Sequence, residues 1–346
     1  MKKMKSAVLF KPKDLRIVEK DIPPIGPDEV LLRVKAVGVC GSDVHYYRDG
    51  RIGNIVVKGP QVLGHEFSGE VVEVGNAVRG IEPGMRVAVE PGVPCGKCEA
   101  CLTGKYNICP EVKFCGTPPV DGAYQEFYAA KAALVYPFSK EISFEEGAMI
   151  EPLAVALHSV NVAPVKNGDW VAVLGSGPIG LMLIQAARSA GATRIIATDL
   201  LDYLVKAAEE FGADFSLNAA KEDPVAAIME FTGGRGVDVA FEAAGVPETT
   251  QQAIEIVRPG GIVGLVGICR EDTIPLDLHP AIRKELTLQA VRRFRHVYPR
   301  AVALLERGQV NVAGLITHRL PLEEITSAFE MVENYADGVL KAVILP

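Results

Sequence analysis

Two hydrophobic rhythms divide the chain. From Ser6 to about Val89, short runs rich in Val, Leu and Ile (Ala7–Phe10, Glu29–Val39, Phe67–Val74) alternate with Pro23-Pro24, Pro27, Gly59-Pro60 and Pro83-Gly84. Apolar runs punctuated in this way predict short strands joined by turns, here an irregular antiparallel barrel. A strand resumes at Tyr124–Ala129, and the period turns helical at Phe144–Ala148 and through Glu151–His158. From Asp169 the rhythm changes. Buried-strand runs at Trp170–Leu174, Arg194–Thr198, Val237–Glu242 and Gly261–Gly267, with a sixth strand at Leu286–Val291, alternate with helical stretches. Those stretches are a run ending at Ala190, then Leu201–Phe211, Pro224–Phe231 and Pro247–Val257. This alternation predicts a parallel sheet with right-handed crossovers. The tail, from about Arg292, reads as helices Tyr298–Arg307 and Leu322–Asn334 and a strand Leu340–Leu345, expected to return to the first domain. The expected domains are therefore residues 1–155 with 292–346, and 156–291.

With 346 residues, 49% of them hydrophobic, the chain can bury two cores. A net charge of −7 with both signs dispersed lacks the basic face that nucleic-acid binding requires. No apolar run approaches the roughly 20 residues that span a bilayer. The basic start, Met1–Lys5, precedes only four apolar residues, Ala7–Phe10, too few for a secretory signal, so a cytoplasmic protein is expected.

The seven cysteines change this picture, because four of them cluster as Cys95-x2-Cys98-x2-Cys101 followed by Cys109. In a chain without an export signal this favours metal over disulfides, and four thiolates so spaced suit a closed tetrahedral zinc site around residues 92–112. Bacterial ferredoxins also begin C-x2-C-x2-C, but there the fourth Cys follows after three residues, not seven, so zinc ranks above iron–sulfur. Cys115 and Cys269 stand apart and read as isolated thiols. A second donor set is Cys40, at the end of an apolar run, with His65-Glu66 where Val62-Leu63 breaks at Gly64. Thiolate, imidazole and carboxylate form a mixed set suited to zinc with a position left open. Glu151, in the apolar company of Leu153–Leu157, needs a partner, and metal coordination, direct or through water, would supply one.

At the first turn of the α/β part stands Gly175-x-Gly177-x-x-Gly180, between a strand and a helix, with Asp199 closing the second strand. Gly175 permits the tight turn, Gly177 the approach of a pyrophosphate, and Gly180 close helix–strand packing, with the helix N-terminus facing the phosphates. Asp199 would bind ribose hydroxyls and repel a 2′-phosphate, and Leu200 offers no positive partner, so NAD is expected over NADP.

Together these motifs resemble the zinc-containing medium-chain alcohol dehydrogenase/reductase family over nearly the whole chain. The marks are Gly64-His65-Glu66-x2-Gly69-x5-Gly75-x2-Val78, Cys40-x-Ser42-x2-His45, the four-cysteine lobe and the Gly175 fingerprint. Val44–Tyr47 before Gly50–Gly53, Thr117–Gly122, and Glu151–Leu153 with Phe294-Arg295 narrow the likeness to its polyol dehydrogenases. The resemblance implies a GroES-like catalytic barrel beside a Rossmann coenzyme domain, two zincs per chain, and NAD. The implied reaction is hydride transfer between NAD⁺ and a secondary alcohol of a polyol such as sorbitol or xylitol, giving a ketose.

It also implies roles. Cys40, His65 and Glu66 hold the catalytic zinc, with Glu151 on or near it. Ser42 takes the alcohol proton and His45 relays it to solvent. Pro178, Ile179, Val266, Gly267, Ile268 and Phe294 join the glycines and Asp199 at the coenzyme. Tyr46, Arg295 and His296 face the substrate, and Asp43 supports the free nitrogen of His65. The family usually forms homo-oligomers, dimers or tetramers. Two departures stand out: His296 where animal members have Tyr, and Leu204 where relatives often carry an Arg. Threonine dehydrogenases differ at the Glu151–Ala154 run, whereas 2,3-butanediol dehydrogenases share it. Against a structural or sensory zinc- and NAD-binding module, Ser42 and Glu66 are both present.

Overall fold

The computed structural model describes residues 2–346, which fall into two compact units. The first comprises the chain up to Glu151, Tyr298–Gly308 and Val312–Pro346; the second comprises Pro152–Val297 and Gln309–Asn311. These limits lie a few residues from the expected ones, because helix Ile150–Val162 runs through the first boundary without a turn signal.

In the first unit the strand Glu29–Gly38 is central. It pairs antiparallel with Glu66–Val74, with Phe127–Lys131, and with the tail strand Lys341–Leu345. Arg86–Val89 and Val135–Pro137 extend the sheet on one side and Ile316–Pro321 on the other. A smaller sheet joins Lys3–Lys11 to Asp14–Asp21 and Gln61–Val62. The buried core between these elements includes Leu9, Leu32, Leu63, Phe67, Tyr124 and Phe329.

One local expectation is corrected, and two elements appear that the apolar pattern did not announce. Gly41–Asp49, which begins as a short polar run after the apolar run that ends at Cys40, is a helix. It carries no clear apolar stripe and starts at its cap, where Cys40 N–H donates to Asp43 Oδ2 at 3.4 Å. Gly50, in the left-handed region at φ 70°, ends it. Asp14–Asp21 is a strand that a half-exposed, polar-rich sequence concealed. Tyr124 does not open the strand that starts at Phe127. Ala123 and Tyr124 instead donate to the carbonyls of Gly64 and Leu63 at 2.9 and 3.1 Å, which draws this segment toward the His65 loop.

The second unit is a six-stranded parallel sheet. Counted along the chain, its strands Trp170–Leu174, Arg194–Asp199, Phe215–Asn218, Val237–Glu242, Val257–Leu265 and Thr287–Ala290 lie in the order 3-2-1-4-5-6. The parallel sheet expected from the alternation, and the Rossmann order implied by the resemblance, are met. The short third strand, half-exposed at Phe215 and Ser216, had no distinct apolar run to announce it. The first and fourth strands are neighbours, so the order reverses between them, and the loops after Leu174 and Glu242 open at that reversal, where such sheets bind ligands. Among the described residues no helix is long and apolar enough to cross a membrane.

Candidate active site

The first unit gathers Cys40, His65 and Glu66. Cys40 caps the helix Gly41–Asp49, held in place as Val39 N–H donates to Ala342 O at 2.9 Å. His65 and Glu66 follow Gly64, whose φ of 93° excludes most side chains and whose missing Cβ leaves room for the Tyr124 ring, 2.9 Å from where a Cβ would stand. One ligand atom each from Cys40, His65 and Glu66 lies within 4.8 Å of the others, and His65 and Glu66 are buried. Soft sulfur, borderline nitrogen and hard oxygen converging in a buried site fit zinc with a position open. Glu151 is buried nearby but falls outside that three-atom group. Burial pushes its carboxyl up to about 8; His65 pulls it down and Glu66 adds to the rise.

Asp43 organises the site from behind. Its Oδ1 lies 3.5 Å from His65 Nδ1 and accepts from Gly64 N–H at 3.3 Å, and its Oδ2 accepts from the Tyr124 hydroxyl at 3.0 Å. Burial alone would lower the His65 pKa, but the charges of Asp43 and Cys40 override it and raise it well above the usual imidazole value. The Thr117–Gly122 loop supports the same segment. Asp121 Oδ1 accepts from Val62 N–H at 3.0 Å, and Gln61 Nε2 donates to Val120 O at 2.7 Å. A Cβ on Gly122 would overlap the Leu63 carbonyl. The loop thus fixes the strand that delivers His65.

Ser42 Oγ donates to Cys40 Sγ at 3.3 Å. His45, half-buried one helical turn on, has its Nδ1 3.1 Å from Arg48 Nη2. Tyr46 is buried in the first unit's core.

In the cysteine lobe, one sulfur each from Cys95, Cys98, Cys101 and Cys109 lies within 4.8 Å of the others, and all four are free of disulfides. Sulfur separations of 3.4 Å (Cys98–Cys101) and 4.0 Å (Cys95–Cys101) approach the roughly 3.8 Å expected of a tetrahedral set with zinc–sulfur bonds of about 2.3 Å. Backbone N–H groups of Lys97 and Cys98 draw the Cys95 thiol down to about 7.

The second unit carries the nucleotide fingerprint. Gly175 has φ 98°, and a Cβ there would stand 2.7 Å from Ala244 N; a Cβ on Gly180 would collide with Gly175 O. Gly177 differs. Its φ of −67° suits any residue, and no protein atom lies within 4 Å of where a Cβ would be. Neither backbone strain nor a protein neighbour demands glycine there; a phosphate approaching the backbone would. Pro178 opens the helix Pro178–Ser189, with Ile179 and Gly180 in its first turn. Asp199 is pinned at the end of its strand: Oδ2 accepts from Ser176 N–H at 2.8 Å, and Oδ1 from Leu200 and Leu201 N–H at 2.7 and 3.2 Å. Val266 and Gly267 both donate to Glu242 O at 2.9 Å, and Ile268 is exposed. Leu204 is a core residue. Phe294 is buried, Arg295 half-buried and His296 exposed with φ 54°. Arg295 and His296 belong to this unit, Tyr46 to the first.

Three participants escaped the sequence reading. Lys341, 3% exposed, is ion-paired with Glu66. Tyr124 braces Asp43. Glu242 Oε1 accepts from Ala244 and Gly245 N–H at 2.9 and 2.7 Å and from Thr249 Oγ1 at 2.7 Å, shaping the loop opposite Gly175. A lone lysine inside the apolar run Leu340–Leu345 was a usable signal; the other two had none.

Two family models match the chain: an alcohol dehydrogenase GroES-like domain over residues 26–140 and a zinc-binding dehydrogenase over residues 178–307. The chain is similar to sorbitol dehydrogenase of Bacillus subtilis (strain 168), 41% identical over 99% of this chain and 97% of that one. It is similar as well to sorbitol dehydrogenase of Pongo abelii, 46% identical over 94% and 91%. Among solved structures, an oxidoreductase/dehydrogenase of unknown specificity from Escherichia coli superimposes with a TM-score of 0.95 at 38% identity, covering 99% of both chains. A zinc-binding dehydrogenase from Sinorhizobium meliloti 1021 bound to NADP gives 0.92 at 32%, covering all of both. 2R,3R-butanediol dehydrogenase from Bacillus subtilis gives 0.90 at 36%, covering 99% of both.

Proposed function

The chain belongs to the zinc-containing medium-chain alcohol dehydrogenase family, and from that premise we propose that it oxidises a secondary alcohol of a polyol to a ketose with NAD⁺. The observation that carries this reading is the Cys40–His65–Glu66 donor set in a chain matched end to end by sorbitol dehydrogenases. Cys40, His65 and Glu66 would hold one zinc, with Glu151 beside them, and the cysteine lobe a second, structural one. Zinc in the mixed site would supply Lewis acidity that acidifies the substrate hydroxyl, and NAD⁺ would supply the hydride acceptor.

The residues do the rest. Asp43 fixes the His65 tautomer and ring orientation. Ser42 Oγ, next to Cys40, receives the alcohol proton and hands it toward His45, which releases it to solvent. Gly177 leaves the backbone open to the pyrophosphate, while Val266, Gly267, Ile268 and Phe294 complete the coenzyme's surroundings. Asp199 accepts from the adenosine ribose and disfavours a 2′-phosphate; the NADP-bound relative makes this worth testing. Arg295, half-buried, and His296, exposed, are the candidates for the substrate's remaining hydroxyls, whereas Tyr46 lies within the first unit's core. The protein works in the cytoplasm as a homo-oligomer. The open edge strand Thr287–Ala290 with its exposed Leu288, together with exposed Leu278 and Ile282 in the same unit, supports self-association through the second unit.

The test is initial-rate reduction of NAD⁺ and NADP⁺ with sorbitol, xylitol, galactitol, arabinitols, 2,3-butanediol and L-threonine. A ketose product with NAD⁺ preferred supports the reading; a preference for threonine or for NADP⁺ contradicts it.

A further inference from the structure

Lys341 is a buried cation that the proposed chemistry does not use. Its strand, Lys341–Leu345, is otherwise apolar, and its side chain is as buried as the core around it. An ammonium is kept out of water at such cost that it needs a fixed anion, and here Glu66 ion-pairs with it. The pairing is built into the sheet. Gly38 lies opposite Glu66 on one side and opposite Val343 on the other. A Cβ on Gly38 would overlap Glu66 Oε2 and stand 3.0 Å from Lys341 Cε and 2.9 Å from Met149 Cε. Glycine at this point opens the space in which carboxylate and ammonium meet.

We propose that Lys341 is the resident counter-charge of the Cys40–His65–Glu66 donor set: it holds the Glu66 carboxylate in place when no metal is bound and weakens the grip on a metal that is. The inference rests on the reading of those three residues as zinc ligands. Without the ammonium, the buried Glu66 carboxylate loses the cation that is ion-paired with it, a deficit that destabilises the metal-free fold. With a dication present that deficit is largely filled, and a like-charged neighbour has been removed. Both effects act in one direction. Loss of Lys341 makes folding more dependent on metal and makes the metal harder to remove.

The experiment compares native protein, Lys341→Met, Lys341→Gln and Lys341→Arg. Melting temperatures are measured in metal-stripped and zinc-loaded forms, and zinc release by titration with a chromophoric chelator. The release step absent from His65→Ala identifies the site. Lys341→Met is expected to lower the metal-stripped melting temperature much more than the loaded one and to tighten zinc at that step by roughly tenfold or more. Lys341→Arg, which keeps the charge, stays near native on both. Where Lys341→Met yields no folded metal-stripped protein, Lys341→Gln and the chelator titration of loaded protein decide. Equal losses in both forms with unchanged zinc affinity, or weaker zinc in the charge-removing variants, overturn the proposal. If the native protein shows no zinc step that His65→Ala removes, the ligand reading itself is wrong, and the inference falls with it.

Discussion

The Tyr124 hydroxyl lies 3.0 Å from Asp43 Oδ2, while the other oxygen of that carboxylate lies 3.5 Å from His65 Nδ1. A phenol thus steadies the anion that orients a proposed metal ligand. Partners of this outer kind are commonly worth 10–100-fold in metal affinity. Tyr124→Phe keeps the ring that fills the space beside Gly64 and removes only the bond. It should weaken zinc at the His65 site by about tenfold, read by chelator competition, and Asp43→Asn should weaken it more. Unchanged affinity in both variants would show that His65 is held by packing alone.

Substitutions at Gly177 and Gly180 separate the proposed coenzyme-contacting glycine from a structural one. Gly177→Ala should leave the melting temperature near native, since nothing in the protein meets the new methyl. It should raise the dissociation constant for NAD⁺ by roughly tenfold or more, because the pyrophosphate then meets a methyl group. Gly180→Ala, facing Gly175 O, should lower the melting temperature itself. Calorimetric titration with NAD⁺ beside thermal denaturation checks both. A large stability loss in Gly177→Ala would contradict the assignment.

Asp199→Ala with Leu200→Arg should shift kcat/KM toward NADP⁺ relative to NAD⁺. Total efficiency should also fall, because Asp199 clamps Ser176 N–H in the fingerprint loop. A native preference for NADP⁺ would contradict the role given to Asp199.

What could be read from the chain was what is local in it. The four cysteines lie within 15 positions, Cys95 to Cys109, and the fingerprint runs strand, turn, helix and acid without interruption, so spacing alone announced both groupings. Lys341 and Tyr124 reach their partners only through strand pairing and the Gly122–Gln125 excursion, which no periodicity encodes. The helix Gly41–Asp49 was hidden because its start is set by a cap at Cys40 and Asp43 rather than by an apolar stripe. The Thr117–Gly122 loop, a mark of the likeness to polyol dehydrogenases, braces the segment that carries His65, a role its residues alone did not announce.

His158 offers a pH test within the second unit. Burial, then the charges of Arg295 and His296, push its pKa down to about 4 from 6.5. The fold therefore favours the neutral ring. Its contribution to stability is complete above about pH 6.5 and is lost progressively as pH falls toward 4. His158→Gln cannot titrate, so its melting temperature should fall less than the native one between pH 7.5 and 4.5. Parallel curves would show that His158 is not responsible for that acid limb.

The central claim, a site that grips hydroxyls away from the reacting carbon, is tested most directly by one ratio: kcat/KM for xylitol or sorbitol over kcat/KM for 2,3-butanediol, with NAD⁺, in native protein and in Arg295→Leu. Sites that hydrogen-bond a substrate hydroxyl reject analogues lacking it by up to roughly 10⁴-fold. A large ratio in favour of the polyol is expected in native protein. In Arg295→Leu most of it should be lost, kcat on the polyol should fall, and zinc content and NAD⁺ affinity should be retained. A native preference for butanediol, or a ratio that Arg295→Leu leaves intact, would contradict it.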